Sequence, residues 1–146
     1  FALAQNQRAD LASIETVQQG LSIGTSTVDV ALAAGEAISD ILVELKQVAS
    51  QAADASLSTE NRAILQEQFI SLREQITRLV DNASIGGRNL IAASAPDLTV
   101  VASTDGTDTI TVAAQDLSVG GGIVNIDNSG TPLADAAAAT TEIGVI

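Results

Sequence analysis

The chain has 146 residues, 46% of them apolar but only 1% aromatic, with no Cys, Met, Trp or His and a formal net charge of −12. That length fits one domain, and a core drawn mostly from Ala, Val, Ile and Leu suits thin helix pairs better than a thick globule. Without His or Cys the commonest general base and thiolate metal ligand are missing, and an acidic surface repels phosphates, so we expect no enzyme activity, cofactor, metal site, nucleic acid or membrane partner.

The charge is uneven. Residues 1–88 carry eleven acidic and six basic side chains, whereas residues 89–146 carry seven acidic and none basic. The two parts are therefore expected to meet different surroundings. The chain begins at Phe1 without a Met and stops inside an Ala-rich run at 134–146, so it reads as a fragment with both ends removed.

From residue 1 to about Asp54 there is no proline, and two apolar series alternate at 3-4 spacing. One is Ile14, Leu21, Val28, Gly35, Leu42, Ala49; the other is Val17, Gly24, Ala31, Ile38, Leu45, Ala52. More than five heptads of this kind predict a long helix with a coiled-coil-like seam, a rod of roughly 80 Å. Glycine on such a seam costs about 1 kcal/mol of helix propensity against alanine. Gly24 and Gly35 therefore mark either the close approach of a neighbouring backbone or, with Gly20, a kink or break.

Asp54-Ala55-Ser56-Leu57-Ser58 ends this helix, and Ser58 with Thr59 and Glu60 predicts an N-cap and an acidic first turn for a second one. The second seam is Leu65, Phe69, Leu72, Ile76, Leu79 and Ala83, with Arg62, Glu67, Arg73, Glu74 and Arg78 off it. A short connection folds the second helix back antiparallel on the first.

The paired glycines in Ile85-Gly86-Gly87-Arg88-Asn89-Leu90-Ile91 stop the second helix, and the period changes after Pro96. Leu98–Ala102 and Thr109–Ala113 are β-branched runs flanking Thr104-Asp105-Gly106-Thr107, which predicts a hairpin turning at Asp105-Gly106. Residues 118–132 read as a flexible loop with Gly120, Gly121 and Gly122, and a third strand is possible at Ile123, Val124 and Ile126. Residues 133–146 open a further helix. The expected fold class is mainly α: a long antiparallel coiled-coil-like helical rod with a small β-hairpin subregion (α+β). The expected organisation is 1–93 helices, 94–130 hairpin and Gly-rich loop of the same domain, and 131–146 the start of a truncated returning helix.

No constellation carries chemistry. The carboxylates lie mostly between apolar residues on solvated faces. Asp105-Gly106-Thr107-Asp108 lacks the remaining oxygen ligands of a calcium loop, and Gly120–Gly122 lacks the context of a nucleotide fingerprint. Asn82-Ala83-Ser84 is a chance-level glycosylation match.

Read together, Gly20-Leu21-Ser22-Ile23 through Asn89-Leu90-Ile91 resembles the N-terminal half of the bacterial flagellin core. The resemblance rests on the helix segment Leu42-Val43-Glu44-Leu45-Lys46-Gln47-Val48-Ala49-Ser50-Gln51-Ala52-Ala53-Asp54, the turn Ser56–Arg62, and the second helix from Leu65-Gln66-Glu67 to Val80-Asp81. Ile85-Gly86-Gly87 stands where the family usually carries Phe-Asn-Gly. The resemblance implies a structural subunit of the flagellar filament, secreted and self-assembling with other flagellin subunits, with a secretion chaperone as a further partner. It also implies that terminal polymerising helices are missing here, so that the fragment folds as a monomer. The family is read by an innate immune receptor through an Arg and a Glu, and the matching positions here hold Glu44 and Gln68; weak receptor activation is the expectation. Two alternatives are a hook-filament junction protein and another helical-rod interaction module.

Overall fold

The computed structural model describes residues 2–146. In chain order the elements are α1 (Ala2–Ala52), α2 (Thr59–Asn82), β1 (Ser84–Ile85), β2 (Arg88–Asn89), β3 (Leu98–Val101), β4 (Thr109–Val112) and α3 (Ala136–Val145). The expected start of the first helix at Phe1 lies outside the described residues.

α1 continues for 51 residues, about 76 Å at the usual helical rise. It passes through Gly20, Gly24 and Gly35 without interruption. Of the readings of these glycines, a break in the helix is wrong, and the close approach holds at Gly24 with one amendment. A Cβ there would lie 2.8 Å from Cγ2 of Val100, so the neighbour is a β3 side chain and not a backbone. Gly35 meets only an ordinary contact, 3.9 Å from Leu117 Cδ1.

The turn after α1 is built by side chains. The Asp54 carboxylate accepts from the Ser56 amide at 2.8 Å and from its hydroxyl at 2.7 Å. Ser58 caps α2, its Oγ accepting from the Asn61 amide at 3.3 Å. The last carbonyls of a helix have no partner within it; here Arg62 reaches back from α2, donating to the Ala52 carbonyl and, at 3.1 Å, to that of Asp54. Arg62 thus closes the end of one helix from the first turn of the next.

α2 folds back along the C-terminal half of α1. The core between them is small-residue on one side and bulkier on the other: Leu45, Ala49 and Ala52 of α1 and Phe69 and Ile76 of α2 are fully buried. α2 stops at Asn82, where Asn89 donates from Nδ2 to the Val80 carbonyl at 2.6 Å and accepts at Oδ1 from the Ile91 amide at 2.8 Å.

Between these, β1 and β2 form a two-residue antiparallel ladder, Ser84 opposite Asn89 and Ile85 opposite Arg88. Gly86 and Gly87, at φ 58° and 78°, supply the two left-handed residues that such a tight hairpin demands. Sequence reading placed only a helix stop here. The short ladder is invisible in pattern because two residues show no alternation.

The second hairpin pairs Leu98 with Val112 and Val101 with Thr109. Its tip is Ser103–Asp108, with Gly106 at φ 75° and the Ala102 amide donating to the Asp108 carbonyl at 2.8 Å. β3 lies on α1 at Gly20 and Gly24.

The connector from 113 to 135 contains no helix or strand, so the possible third strand is corrected to an irregular segment. Ile123 is exposed while Val124 and Ile126 are buried, which anchors the segment by its side chains. Its backbone is partly satisfied by pairing with residues 90–91: the Gln115 amide donates to the Leu90 carbonyl at 2.8 Å and the Leu117 amide to that of Ile91 at 3.0 Å. The glycine run makes a defined turn, closed by the Gly120 amide on the Val124 carbonyl at 2.9 Å. α3 starts at Ala136, three positions later than residue 133, because Pro132 and Leu133 are sunk in the core and Asp135 supplies the cap, accepting from the Ala138 amide at 2.8 Å.

Candidate functional site

The twelve predicted seam residues do not share one environment. Ile38, Leu45, Phe69 and Ile76 are buried; Leu42, Leu65, Leu72 and Leu79 are half-buried and pack against that core. Val17, Leu21 and Val28 are half-buried farther up α1, and Ile14 remains 41% exposed. The reason is length: α2 has 24 residues against 51 in α1, so it covers only about half of the rod.

Above α2, α1 is met by the β3–β4 hairpin, and the two enclose a shallow groove of about 590 Å³. Its walls are the small residues Ala12, Gly20 and Gly24 of α1 and Val100 and Val101 of the hairpin, with Arg88 at the margin. Farther toward the N-terminus Leu3 and Leu11 are 73% and 59% exposed. Other large apolar side chains face away from the core along both helices: Leu32, Val43 and Ile64 are all more than three-fifths exposed. Glu44 and Gln68 are exposed on α1 and α2 respectively. The rod therefore offers an apolar, partly acidic outer face in addition to its internal seam.

One polar cluster lay outside any sequence expectation. Arg73, read as off the seam, is 9% exposed. Its Nη1 donates to the carbonyls of Asp127 and Ser129, both at 2.8 Å. Glu142 of α3, 5% exposed, accepts from the Asp127 amide at 3.2 Å. Position on α2 gave no hint of this, since the partner carbonyls come from 54 and 56 residues away.

The carboxylates divide by surroundings. Hydrogen bonds from the Ser103 hydroxyl, then from Thr107, pull Asp105 down to about 2. The Ser56 amide and hydroxyl lower Asp54, and the Ser129 hydroxyl and amide lower Asp127. Glu142 moves the other way, raised first by burial and also by the Asp127 charge. Asp105 therefore spends Oδ1 on its own turn, and among the described residues no group of three His, Cys, Asp or Glu side chains is placed to hold a metal. Among those residues no helix is long and apolar enough to cross a membrane.

A long helix, a shorter one folded back on it and a hairpin against their open end set the terms for comparison with known proteins. Residues 1–96 match the family model described as the bacterial flagellin N-terminal helical region. The chain belongs to the flagellin family. Flagellin FljO of Caulobacter vibrioides is 41% identical over 146 residues, 100% of this chain and 52% of that protein. Flagellin A of Rhizobium meliloti is 26% identical over 136 residues, 89% of this chain and 34% of that protein. Among solved structures, the Bacillus cereus flagellin superposes with a TM-score of 0.66 at 25% identity, covering 88% of this chain and 70% of that one. This flagellin chain spans about half the length of the Caulobacter relatives it matches. Its mainly helical fold with small antiparallel strand pairs is that of the family, whose members are structural proteins.

Proposed function

We propose that this chain is the rod portion of a flagellar filament subunit, exported from the bacterium and working mechanically in the whole protein. The observation that carries the reading is the family match over residues 1–96, a span that takes in both rod helices, α1 and α2. Identical rods joined through different surface patches form an open helical polymer and not a closed ring. In this reading the internal seam of Ile38, Leu45, Phe69 and Ile76 stiffens each rod, and exposed side chains such as Val43 and Ile64 meet neighbours.

The test is to express the whole protein in a cell lacking its own flagellins and to examine filaments by electron microscopy. Long filaments, shortened or lost in Val43→Glu with helicity unchanged, support the reading. A discrete complex in place of a polymer overturns it and favours a helical interaction module; a short plug between hook and filament favours a junction protein.

On the family resemblance, we infer that Glu44 and Gln68 stand at the positions through which flagellins engage an innate immune receptor. A carboxylate at 44 reverses the charge of an arginine's bidentate donor, so weak receptor activation is expected. Potency in a reporter assay should rise in Glu44→Arg/Gln68→Glu; equal potency of unmodified chain and a strongly stimulatory flagellin would contradict this.

A further inference from the structure

Asp127 is gripped at both ends of its backbone. Its carbonyl accepts from Arg73 of α2, and its amide donates to Glu142 of α3. The relay joins three parts that are far apart in sequence, and it does so where both charged members are nearly out of solvent. A buried carboxylate is costly unless its charge is paired and fully hydrogen-bonded. Glu142 receives one backbone donor, while Nη1 of Arg73 is spent on carbonyls and no nitrogen of it comes within ion-pair distance of Glu142.

The charged groups facing Glu142 are Asp127 from the connector and Arg73 from α2. The Asp127 carboxylate is turned to Ser129, accepting from its amide at 2.7 Å and its hydroxyl at 2.6 Å, and repels Glu142. α1 shares the α3 core through apolar residues such as Ile38 and Leu45, and its carboxylates in that stretch, Glu36, Asp40 and Glu44, are on the exposed side. Desolvation, the largest influence, and repulsion from Asp127 therefore act against the ionised form, opposed by the hydrogen bond from the Asp127 amide and by the Arg73 charge, and the balance leaves the carboxyl raised.

We propose that Arg73, the Asp127 peptide and Glu142 form a protonation-controlled fastener, in which neutral Glu142 tightens and ionised Glu142 loosens the seating of the connector and α3 on α1 and α2. The neutral acid keeps an oxygen for the Asp127 amide and adds a hydroxyl donor. The seated state then binds more protons than the unseated one, so seating strengthens as pH falls through the interval just above 4.5, the ordinary glutamate value, and weakens as pH rises through it. Asp54, Asp105 and Asp127 act with the opposite sign and only below 3.8, so the two effects separate on the pH axis.

The test follows the Glu142 side-chain carbon by NMR through a pH titration, together with amide exchange of residues 127–129 and 139–146 corrected for intrinsic rates. The expected result is a midpoint above 4.5 and stronger protection at about pH 5 than at about pH 7, with a ratio set by the measured midpoint. Glu142→Gln should hold the protected level at both pH values, and Arg73→Gln should move the Glu142 midpoint further up. A midpoint at or below 4.5, or a Glu142→Gln chain that keeps the original pH dependence, overturns the proposal. Should Arg73→Gln not fold, the titration of the unmodified chain and the Glu142→Gln exchange still decide.

Discussion

The heptad pattern of α1 runs from Ile14 to Ala52 and weakens upstream, where Gln7 and Asp10 fall on the seam, and the two ends of the helix live in different surroundings. Between about 38 and 52 its seam is closed by α2, the connector and α3, and Leu45, Ala49 and Ala52 are fully buried. Between 2 and 16 the helix has no neighbour of its own length, and Leu3, Leu11 and Ile14 are exposed. Around 20–24 the hairpin substitutes for a helix, and glycine replaces a larger seam residue because Val100 already fills that space. A periodic pattern thus declares which face of a helix is apolar, while burial depends on what lies across from it.

The comparison breaks hardest in the covered half. Phe69→Ala removes the largest fully buried side chain, which sits where small α1 residues cannot collapse to fill the void; the expected loss is about 3–5 kcal/mol in denaturant unfolding. Gly24→Ala tests the hairpin zone. It gains about 1 kcal/mol of helix propensity but forces a Cβ to 2.8 Å from Val100, and overpacking of that kind costs about 1–3 kcal/mol. The net loss should fall on hairpin docking, read as amide exchange in β3 and β4, and Val100→Ala in the same chain should reverse it.

Acid sharpens the contrast at the hairpin tip. Asp105 is held at about 2 in the fold against 3.8 for an ordinary Asp, so its contribution is complete above 3.8 and is lost as pH falls toward 2. Amide shifts of Ser103–Asp108 should report loosening in that window, and Asp105→Asn should abolish the pH dependence. The smallest effect belongs to the uncovered half: Ile14→Ser should change stability by no more than about 0.5 kcal/mol, although the heptad ranks Ile14 with Leu42. A loss comparable to that of Phe69→Ala would mean that the N-terminal part of α1 is packed after all.

Much of this was legible in local pattern. The heptads mark α1 and α2, Ser58 announces the start of α2, and the β-branched runs around Asp105-Gly106 mark β3 and β4, because helix faces, caps and tight turns are decided by residues within a few positions of one another. The segment of the resemblance, 20–91, likewise lies within the residues that the family model matches. What pattern could not supply was every feature made by distant partners. Gly24 needed Val100 across the groove, Arg73 needed the carbonyls of Asp127 and Ser129, and Glu142 needed the peptide of Asp127. Sequence by itself determined the elements and the apolar face of each helix; only the tertiary structure decided which stretches of those faces are covered and which charges are buried, since desolvation and packing depend on distance in space and not along the chain.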